Sequence, residues 1–462
     1  MTDFPALLIA DDGGPAKTLT LLAAAGLDDW LCSQSERTRT FVAAQGFKAQ
    51  PGETALLPGD QPGDWSALAG VEADLNPWSL AAAASRLVPG RYRPSGPIGA
   101  ATLGWLLAQH RFTRYRKASG DTGPRILLTS EPAAITEAVR IAEATALVRD
   151  LVDTPAADLG PGELAAAIEA EARIFGAIVT ITKGEALLAA NFPAVHAVGR
   201  AASRAPRLID MHWGDPAHPR VTLVGKGVTF DSGGLNIKPG GGMAAMKKDM
   251  GGAAHALALA RLVMQANMPV RLRLIVPAVE NSISADAMRP GDILHTRAGK
   301  TVEVTNTDAE GRLILADALA LAAEENPALV IDFATLTGAA RAALGPQLPA
   351  FFTNDEALAV DFAAAGALSG DPLWRLPLWA PYADMLKSGI ADLNNAPDGG
   401  FAGAITAALF LQAFVPERIT WAHFDTFAWN PAPRPGRPKG GEALGLRASW
   451  LLLRSRYLPH GS

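Results

Sequence analysis

The sequence contains very little cysteine and histidine. Cys32 is the single cysteine among 462 residues, which excludes a disulfide within the chain and a zinc site built from cysteine thiolates. The eight histidines include no His-Glu-x-x-His motif and no close pair. A mononuclear zinc protease with histidine ligands is therefore not expected.

Long apolar runs and blocks of like charge are missing as well. No apolar run approaches the roughly 20 residues of a membrane-spanning helix, so no membrane association is expected. The formal net charge is −5, without the basic character that binding to nucleic acid phosphates requires. The segment Met1 to Pro5 lacks the basic region of a signal peptide. The sequence therefore predicts a cytoplasmic protein without a nucleic acid partner.

Length and composition predict a globular protein with two domains. Hydrophobic residues make up 49% of the chain and charged residues 19%, which is enough apolar material for a large core. Residues 1–130 hold short apolar stretches between turn signals and are predicted to form a small N-terminal α/β domain. Residues 131–158 contain a long amphipathic helix, Glu131 to Val152, which we interpret as a linker. Residues 159–462 are predicted to form the larger, catalytic domain.

Strands alternate with helices in the larger domain. Predicted strands include Arg220 to Gly225, Val270 to Val276 and Ala328 to Phe333, and Gly251 to Gln265 is a predicted helix. This alternation predicts an α/β domain with a central, mostly parallel mixed sheet flanked by helices. Ligand sites of such sheets lie beyond the carboxyl ends of the strands. Lys226 follows one of these ends directly.

Two short segments concentrate the chemically active side chains. Asn306 to Leu313 reads NTDAEGRL, and it places two carboxylates two positions apart at the start of a predicted helix, beside an arginine. The second segment is rich in glycine and runs from Val224 through Lys238 to Asp249. Together the segments supply hard carboxylate ligands, a lysine that can join them and cationic groups that can meet an oxyanion.

Four acidic residues fall at the ends of predicted elements, where side chains converge: Asp231, Asp249, Asp308 and Glu310. Four carboxylates balance the charge of two divalent cations, which favours a two-metal site. Lys226 joins such a site only as the neutral amine, and a nearby dication promotes that deprotonation. An oxygen-rich site of this kind accepts Mn²⁺, Mg²⁺, Zn²⁺ or Co²⁺.

Simpler interpretations exist for each residue taken alone. Asp308 and Glu310 could stabilise a helix dipole, and Asp249 could be an N-cap. These interpretations do not explain why glycines crowd the acidic positions, where they permit close backbone approach and positive φ. A phosphate-binding loop at Gly225 to Gly227 is disfavoured, because its spacing matches neither the P-loop nor the dinucleotide motif.

These residues resemble the leucyl (cytosol) aminopeptidase family of two-metal enzymes. The octapeptide NTDAEGRL is similar to the family signature, and the similarity extends over roughly Leu147 to Leu453. The resemblance implies a metallo-aminopeptidase, a hydrolase that removes leucine or other apolar residues from the N-termini of peptides. A dipeptidase similar to a cysteinylglycinase, and a non-catalytic scaffold or DNA-binding member, are the alternatives.

The resemblance also implies a role for each site residue. The ligands of two divalent metals, Mn²⁺ or Zn²⁺, would be Lys226, Asp231, Asp249, Asp308 and Glu310, with Asp231 and Glu310 bridging. The catalytic residues would be Lys238, which stabilises the oxyanion, and Arg312, which anchors a bicarbonate that transfers the proton. The substrate pocket would be lined by Met246, Thr335, Leu336 and Gly338. Family members form hexamers, so a homohexamer acting on peptides is implied.

Overall fold

The computed structural model describes residues 2–61, 63–116 and 123–458. The chain divides into two compact units, one comprising Met1–Ala146 with Ala432–Lys439 and the other Leu147–Pro431 with Gly440–Ser462. The long helix expected between the predicted domains is Ile135–Asp153, here α5, and it follows a short 3₁₀ turn. The predicted domain limits at residues 130 and 158 stay predictions.

The first unit is built on one sheet with short helices. Its strands are β1 (Leu8–Ala10), β2 (Lys17–Leu22), β3 (Thr54–Pro58), β4 (Trp65–Gly70), β5 (Gly90–Pro94) and β6 (Arg125–Thr129). Its helices are α1 (Leu27–Cys32), α2 (Glu36–Ala44), α3 (Ala81–Arg86) and α4 (Thr102–Leu107). The strand order is β1-β6-β5-β2-β4-β3, with parallel pairs throughout except for the antiparallel β3–β4 pair. This unit is the small α/β domain that the sequence predicts.

The second unit alternates strands and helices. Its strands are β7 (Ile178–Lys183), β8 (Arg207–Trp213), β9 (Arg220–Gly225), β10 (Gly227–Asp231), β11 (Arg271–Asn281), β12 (Ile293–His295), β13 (Thr301–Glu303), β14 (Leu329–Ala334), β15 (Ala350–Thr353), β16 (Trp374–Arg375), β17 (Leu393–Asn394), β18 (Trp421–Asp425), β19 (Trp429–Asn430) and β20 (Gly440–Gly441). Its helices are α6 (Pro161–Phe175), α7 (Ala186–Ala189), α8 (Pro193–Gly199), α9 (Gly240–Met243), α10 (Gly251–Gln265), α11 (Glu310–Glu324), α12 (Gly338–Leu344), α13 (Glu356–Leu368), α14 (Gly403–Gln412) and α15 (Leu446–Tyr457).

The large sheet of this unit has the order β16-β15-β18-β14-β9-β11-β8-β7, with β10 paired to β11. Its centre is parallel, from β18 through β14 and β9 to β11, and its margins include the antiparallel pairs β15–β18, β8–β11 and β7–β8. Every residue of β14 is buried, as expected for a strand covered on both faces. The predicted mostly parallel mixed sheet flanked by helices is confirmed. In the part of the chain described, no helix is both long and apolar enough to cross a membrane.

Glycine lets α10 approach the sheet closely. A Cβ atom on Gly252 would lie 2.1 Å from the carbonyl oxygen of Phe333 in β14, and one on Gly225 would lie 2.5 Å from the Cα of Ala253. Contacts this close exclude every side chain larger than hydrogen. The first turn of α10 therefore lies against the carboxyl ends of β9 and β14, which brings Asp249 to the same edge as Lys226.

Candidate metal centre

The predicted site residues meet at the carboxyl edge of the parallel strands. Lys226 follows β9, and its backbone N–H donates to the carbonyl of Phe333 at 3.0 Å. Asp231 is the last residue of β10, Thr335 follows β14, and Asp425 ends β18. This is the edge at which ligands bind in open α/β sheets.

Asp231 is held by two hydrogen bonds at the end of its strand. Its Oδ1 accepts from the backbone N–H of Gly233 and from Nδ2 of Asn281, both at 2.9 Å. The following turn requires Gly233 and Gly234, whose φ values are 87° and 63°. The turn returns the chain so that Lys238 Nζ lies 2.8 Å from Asp231 Oδ2. The oxygen Oδ2 therefore faces the Lys238 ammonium on the cavity side.

Asp249 and Lys226 form a buried pair on the other side of the cluster. Lys226 Nζ lies 2.7 Å from Asp249 Oδ2 and 3.0 Å from Glu310 Oε1. Thr335 Oγ1 donates to Asp249 Oδ1 at 2.8 Å and to the Asp249 carbonyl at 3.0 Å. The Thr335 hydroxyl thus orients Asp249, a role beyond the pocket lining that the sequence indicates.

The acidic octapeptide forms a loop that leads into α11. Asn306 Oδ1 accepts from the backbone N–H of Asp308 at 2.8 Å, which fixes the loop locally. Glu310 is the first residue of α11, and Arg312 Nη1 donates to the carbonyl of Asn395 at 2.6 Å. Burial lowers the pKa of Arg312 to about 10, so its guanidinium stays charged at neutral pH.

The geometry of the acidic residues suits a metal ion. Asp231, Asp308 and Glu310 each offer an oxygen, and these oxygens lie within 4.8 Å of one another. Asp249 shares Lys226 with Glu310 and so adjoins the same group. Among the described residues, Glu310 Oε2 is buried without a hydrogen bond, and Oε1 has the ion pair with Lys226 as its polar contact. Buried carboxylate oxygens of native proteins are nearly always satisfied, so the free Oε2 of Glu310 fits the role of a metal ligand.

The electrostatics indicate a shortage of positive charge. Burial and the neighbouring carboxylate of Asp231 raise the pKa of Glu310 to about 8. The same two causes raise the pKa of Asp308. Burial disfavours the ammonium of Lys226, but the carboxylates of Asp249 and Glu310 outweigh it and raise its pKa. The carboxylates therefore hold their lysines strongly and still repel one another, and a divalent cation would relieve that repulsion.

A cavity of about 430 Å³ opens over these groups. Its lining includes the four residues that the sequence assigns to substrate: Met246, Thr335, Leu336 and Gly338. It also includes Lys226, Asp231, Lys238, Asp249, Asp308 and Arg312. Its volume is typical of sites that bind small molecules or peptide termini. The cavity therefore brings the predicted pocket residues to the acidic cluster.

Two residues of the site, Asp425 and Asn281, were not predicted from the sequence. Asp425 accepts from the backbone N–H groups of Leu336 and Thr337, at 3.0 and 3.1 Å, and from the Thr337 hydroxyl at 2.5 Å. It was missed because the sequence predicts a strand from Ile419 to Phe424, one residue short of Asp425, although the carboxyl-end rule points to this position. Asn281 was missed because β11 continues to Asn281 instead of ending at Val276.

Gly311 has a specific structural task beside Lys226. A Cβ atom at this position would lie 2.4 Å from Lys226 Cε and 2.7 Å from Nζ. We expect Gly311→Ala to displace the Lys226 side chain and to weaken metal binding by about 10- to 100-fold, the scale for disturbing a ligand's support. Gly389→Ala is the matched control, because nothing lies within 4 Å of its Cβ position. Equal metal affinity of both variants, measured by competition with a chelating dye, would contradict this role of Gly311.

Comparison with known proteins identifies relatives along nearly the whole chain. Residues 146–449 match the family model described as the cytosol aminopeptidase family, catalytic domain, and residues 18–128 match the M17 aminopeptidase N-terminal domain. A probable cytosol aminopeptidase of Leifsonia xyli is 38% identical over 473 residues, covering 95% of this chain and 92% of the relative. One of Roseiflexus castenholzii is 41% identical, covering 77% and 75%.

Solved structures agree with this relationship. The cytosol aminopeptidase of Coxiella burnetii is 48% identical and superposes with a TM-score of 0.93, covering 98% of this chain and 99% of that one. The bottromycin maturation enzyme BotP in complex with Mn is 33% identical, with a TM-score of 0.86 over 98% and 99% of the two chains.

Fold, family models and relatives together define the class of this protein as a metal-dependent peptidase. The chain belongs to the cytosol aminopeptidase family and is a metal-dependent aminopeptidase acting on peptide substrates.

Proposed function

We propose that the acidic cluster binds two divalent metal ions. The ligands would be Lys226, Asp231, Asp249, Asp308 and Glu310. The observation that carries this proposal is the group of buried carboxylate oxygens within 4.8 Å of one another, with two lysines as their cationic partners. Manganese is a candidate metal, because the related BotP is described in complex with Mn, and zinc suits the same donors.

Bound metals would supply a Lewis acid for the peptide carbonyl and a water of lowered pKa. The chain's own residues determine how the substrate meets them. Asp249 and Glu310 would fix the positions of the cations, and Thr335 holds Asp249 in its orientation through two hydrogen bonds. Lys226, Asp249 and Glu310 are all buried. Bulk water is therefore excluded from the part of the cavity that these three residues form.

Lys238 and Arg312 would be the catalytic cations. Lys238 Nζ contacts both Asp231 and Asp308, and its side chain lines the cavity. Bound metal would take over the charge of those carboxylates, and the Lys238 ammonium would then donate to the oxyanion of the tetrahedral intermediate. Arg312 Nε is buried and has no hydrogen-bond partner in the described ranges. That unused donor supports the anchoring of a small anion such as bicarbonate, which would carry the proton to the leaving amine.

The pocket residues would bind the first residue of the peptide. Met246 and Leu336 present apolar surface to the cavity, and Gly338 leaves room at the start of α12. Apolar surface here supports the release of leucine or similar residues. A homohexamer is proposed from the family resemblance, and a cytoplasmic location from the relatives' designation as cytosol aminopeptidases.

The proposed function is tested with matched substrates. The protein with added Mn²⁺ should hydrolyse leucine p-nitroanilide but not its N-acetylated form, because the free amine is required at the metals. A chelator should abolish the reaction, and readdition of Mn²⁺ should restore it. Bound metal, measured by mass spectrometry after dialysis, should reach two ions per chain. One ion per chain, or cleavage of the acetylated substrate, would refute this site. Dipeptides and cysteinylglycine in the same assay test the dipeptidase alternative.

A further inference from the structure

One wall of the substrate cavity carries two cations around a single aromatic ring. Lys248 Nζ lies 5.2 Å from the centroid of the Phe427 ring, and the Arg341 guanidinium carbon lies 4.5 Å from it. All three residues line the cavity. Such distances correspond to cation–π contacts, which hold the charged groups in place without neutralising them. The wall therefore presents the Lys248 amine and the Arg341 guanidinium to the cavity.

The charge of Lys248 is poorly compensated. The residue is only 4% exposed, and its ion-pair partner within the described part of the chain is Asp249, whose Oδ1 is 3.8 Å away. That distance is too long for a hydrogen bond. Asp249 Oδ1 already accepts from Thr335, and Asp425 already accepts from Leu336 and Thr337. Lys248 Nζ is thus a buried donor without a close acceptor among the described residues, and an anion entering the cavity could accept a hydrogen bond from it.

The cationic wall lies where a substrate's first side chain would lie. Lys248 precedes the proposed ligand Asp249, and Met246 belongs to the same 3₁₀ turn, Met246–Met250. Arg341 lies one turn beyond Gly338 in α12, and a Cβ atom on Gly338 would be 3.7 Å from Arg341 Nη2. Two of the four predicted pocket residues thus adjoin the cations. Arg341 is exposed and contacts the Phe427 ring from the solvent side, whereas Lys248 is buried.

We propose that this pocket selects peptides whose first residue is aspartate or glutamate. The side-chain carboxylate would accept hydrogen bonds from Lys248 and an ion pair from Arg341, while the free amine and the scissile carbonyl lie at the acidic cluster. The release of leucine proposed above, from the family resemblance and from the apolar surface of Met246 and Leu336, is then secondary to acidic residues in this chain. This inference rests on the proposed function and specifies the substrate class of the same site.

The first measurement compares kcat/KM of the Mn²⁺-loaded protein for the aminomethylcoumarin amides of aspartate, glutamate and leucine. We expect the better acidic substrate to exceed the leucine substrate by at least about tenfold, the smallest effect expected of a desolvated charge pair. Calorimetric titration with free aspartate and free leucine, the released products, provides a readout independent of turnover and should show the same order. A higher kcat/KM for leucine would overturn the inference and leave the proposed function intact. Hydrolysis of none of the three would instead count against the proposed function.

Substitutions of Lys248 and Arg341 test whether these two residues cause the preference for an acidic first residue. Lys248→Met keeps a similar side-chain volume and should lower the ratio of acidic to leucine kcat/KM by about tenfold or more, and Arg341→Met by a smaller factor because that residue is exposed. Lys387→Met is the matched control, since Lys387 is exposed and paired with Asp384 away from the cavity lining. An unchanged ratio in Lys248→Met would overturn the inference.

A second source of carboxylate is the C-terminus of a short peptide. Leucyl-leucine and leucyl-leucine amide differ only in this group. Lys248→Met could lower kcat/KM for leucyl-leucine and not for its amide, and change kcat/KM for the acidic and leucine coumarin substrates by the same factor. In that case the cations bind the C-terminal carboxylate and the inference is wrong. Equal effects on the free acid and the amide support recognition of the first side chain.

Discussion

Asp249→Ala is expected to abolish aminopeptidase activity and to reduce bound metal below two ions per chain. The substitution removes a buried carboxylate that lies 2.7 Å from Lys226 and two residues before the start of α10. Without it, Lys226 keeps Glu310 as its partner, and one of the two proposed cations would lose a ligand. Loss of a Lewis acid that stabilises the transition state by several kcal/mol lowers kcat/KM by roughly a thousandfold or more.

The metal content of this variant separates a ligand role from a structural one. Asp384→Ala is the matched control, because Asp384 is an exposed carboxylate paired with Lys387. Both variants should show cooperative thermal unfolding in the presence of chelator, which establishes that they fold. Two bound ions per chain in Asp249→Ala, measured by mass spectrometry, would remove Asp249 from the ligand set even if activity were lost.

Lys238→Met should retain both metals and lower kcat by about a hundredfold or more, the effect of removing one oxyanion donor. The ammonium contacts Asp231 and Asp308 from the cavity side, and it is the cation best placed to reach a carbonyl oxygen held above them. KM should change little, because the oxyanion forms only in the transition state. Steady-state kinetics with leucine p-nitroanilide and metal analysis of the same preparation measure both quantities.

Metal content, kcat and KM of this variant together distinguish the oxyanion role of Lys238 from the other roles that it could have. If metal is lost together with activity, the lysine acts by orienting Asp231 and Asp308 and takes no direct part in the reaction. If KM rises at constant kcat, it binds the substrate's ground state. Full activity would exclude Lys238 from the mechanism altogether. Lys247→Met provides a comparison, since Lys247 donates to the Asp153 carbonyl and does not line the cavity.

Much of the fold and of the acidic cluster was predictable from local patterns. The limits of β9 and α10 agree with those predicted, because apolar runs bounded by glycine define them within a few residues. The end of β11 was predicted five residues early, at Val276 instead of Asn281. The error concealed Asn281, which binds Asp231 and the carbonyl of Thr307.

The sequence by itself determined the kind of chemistry: carboxylates, lysines and glycines at strand ends specify a hard-cation site wherever the strands are parallel. Only the tertiary structure decided which further groups join it. Lys248 comes from the glycine-rich segment and Arg341 from α12, whereas Asp425 and Phe427 lie at the end of β18 and just beyond it. No local sequence pattern places these four residues in one cavity. Their convergence depends on the order of β14 and β18 in the sheet and on the close approach of α10. Sheet order and helix packing arise from contacts between residues far apart in sequence, which local patterns do not encode.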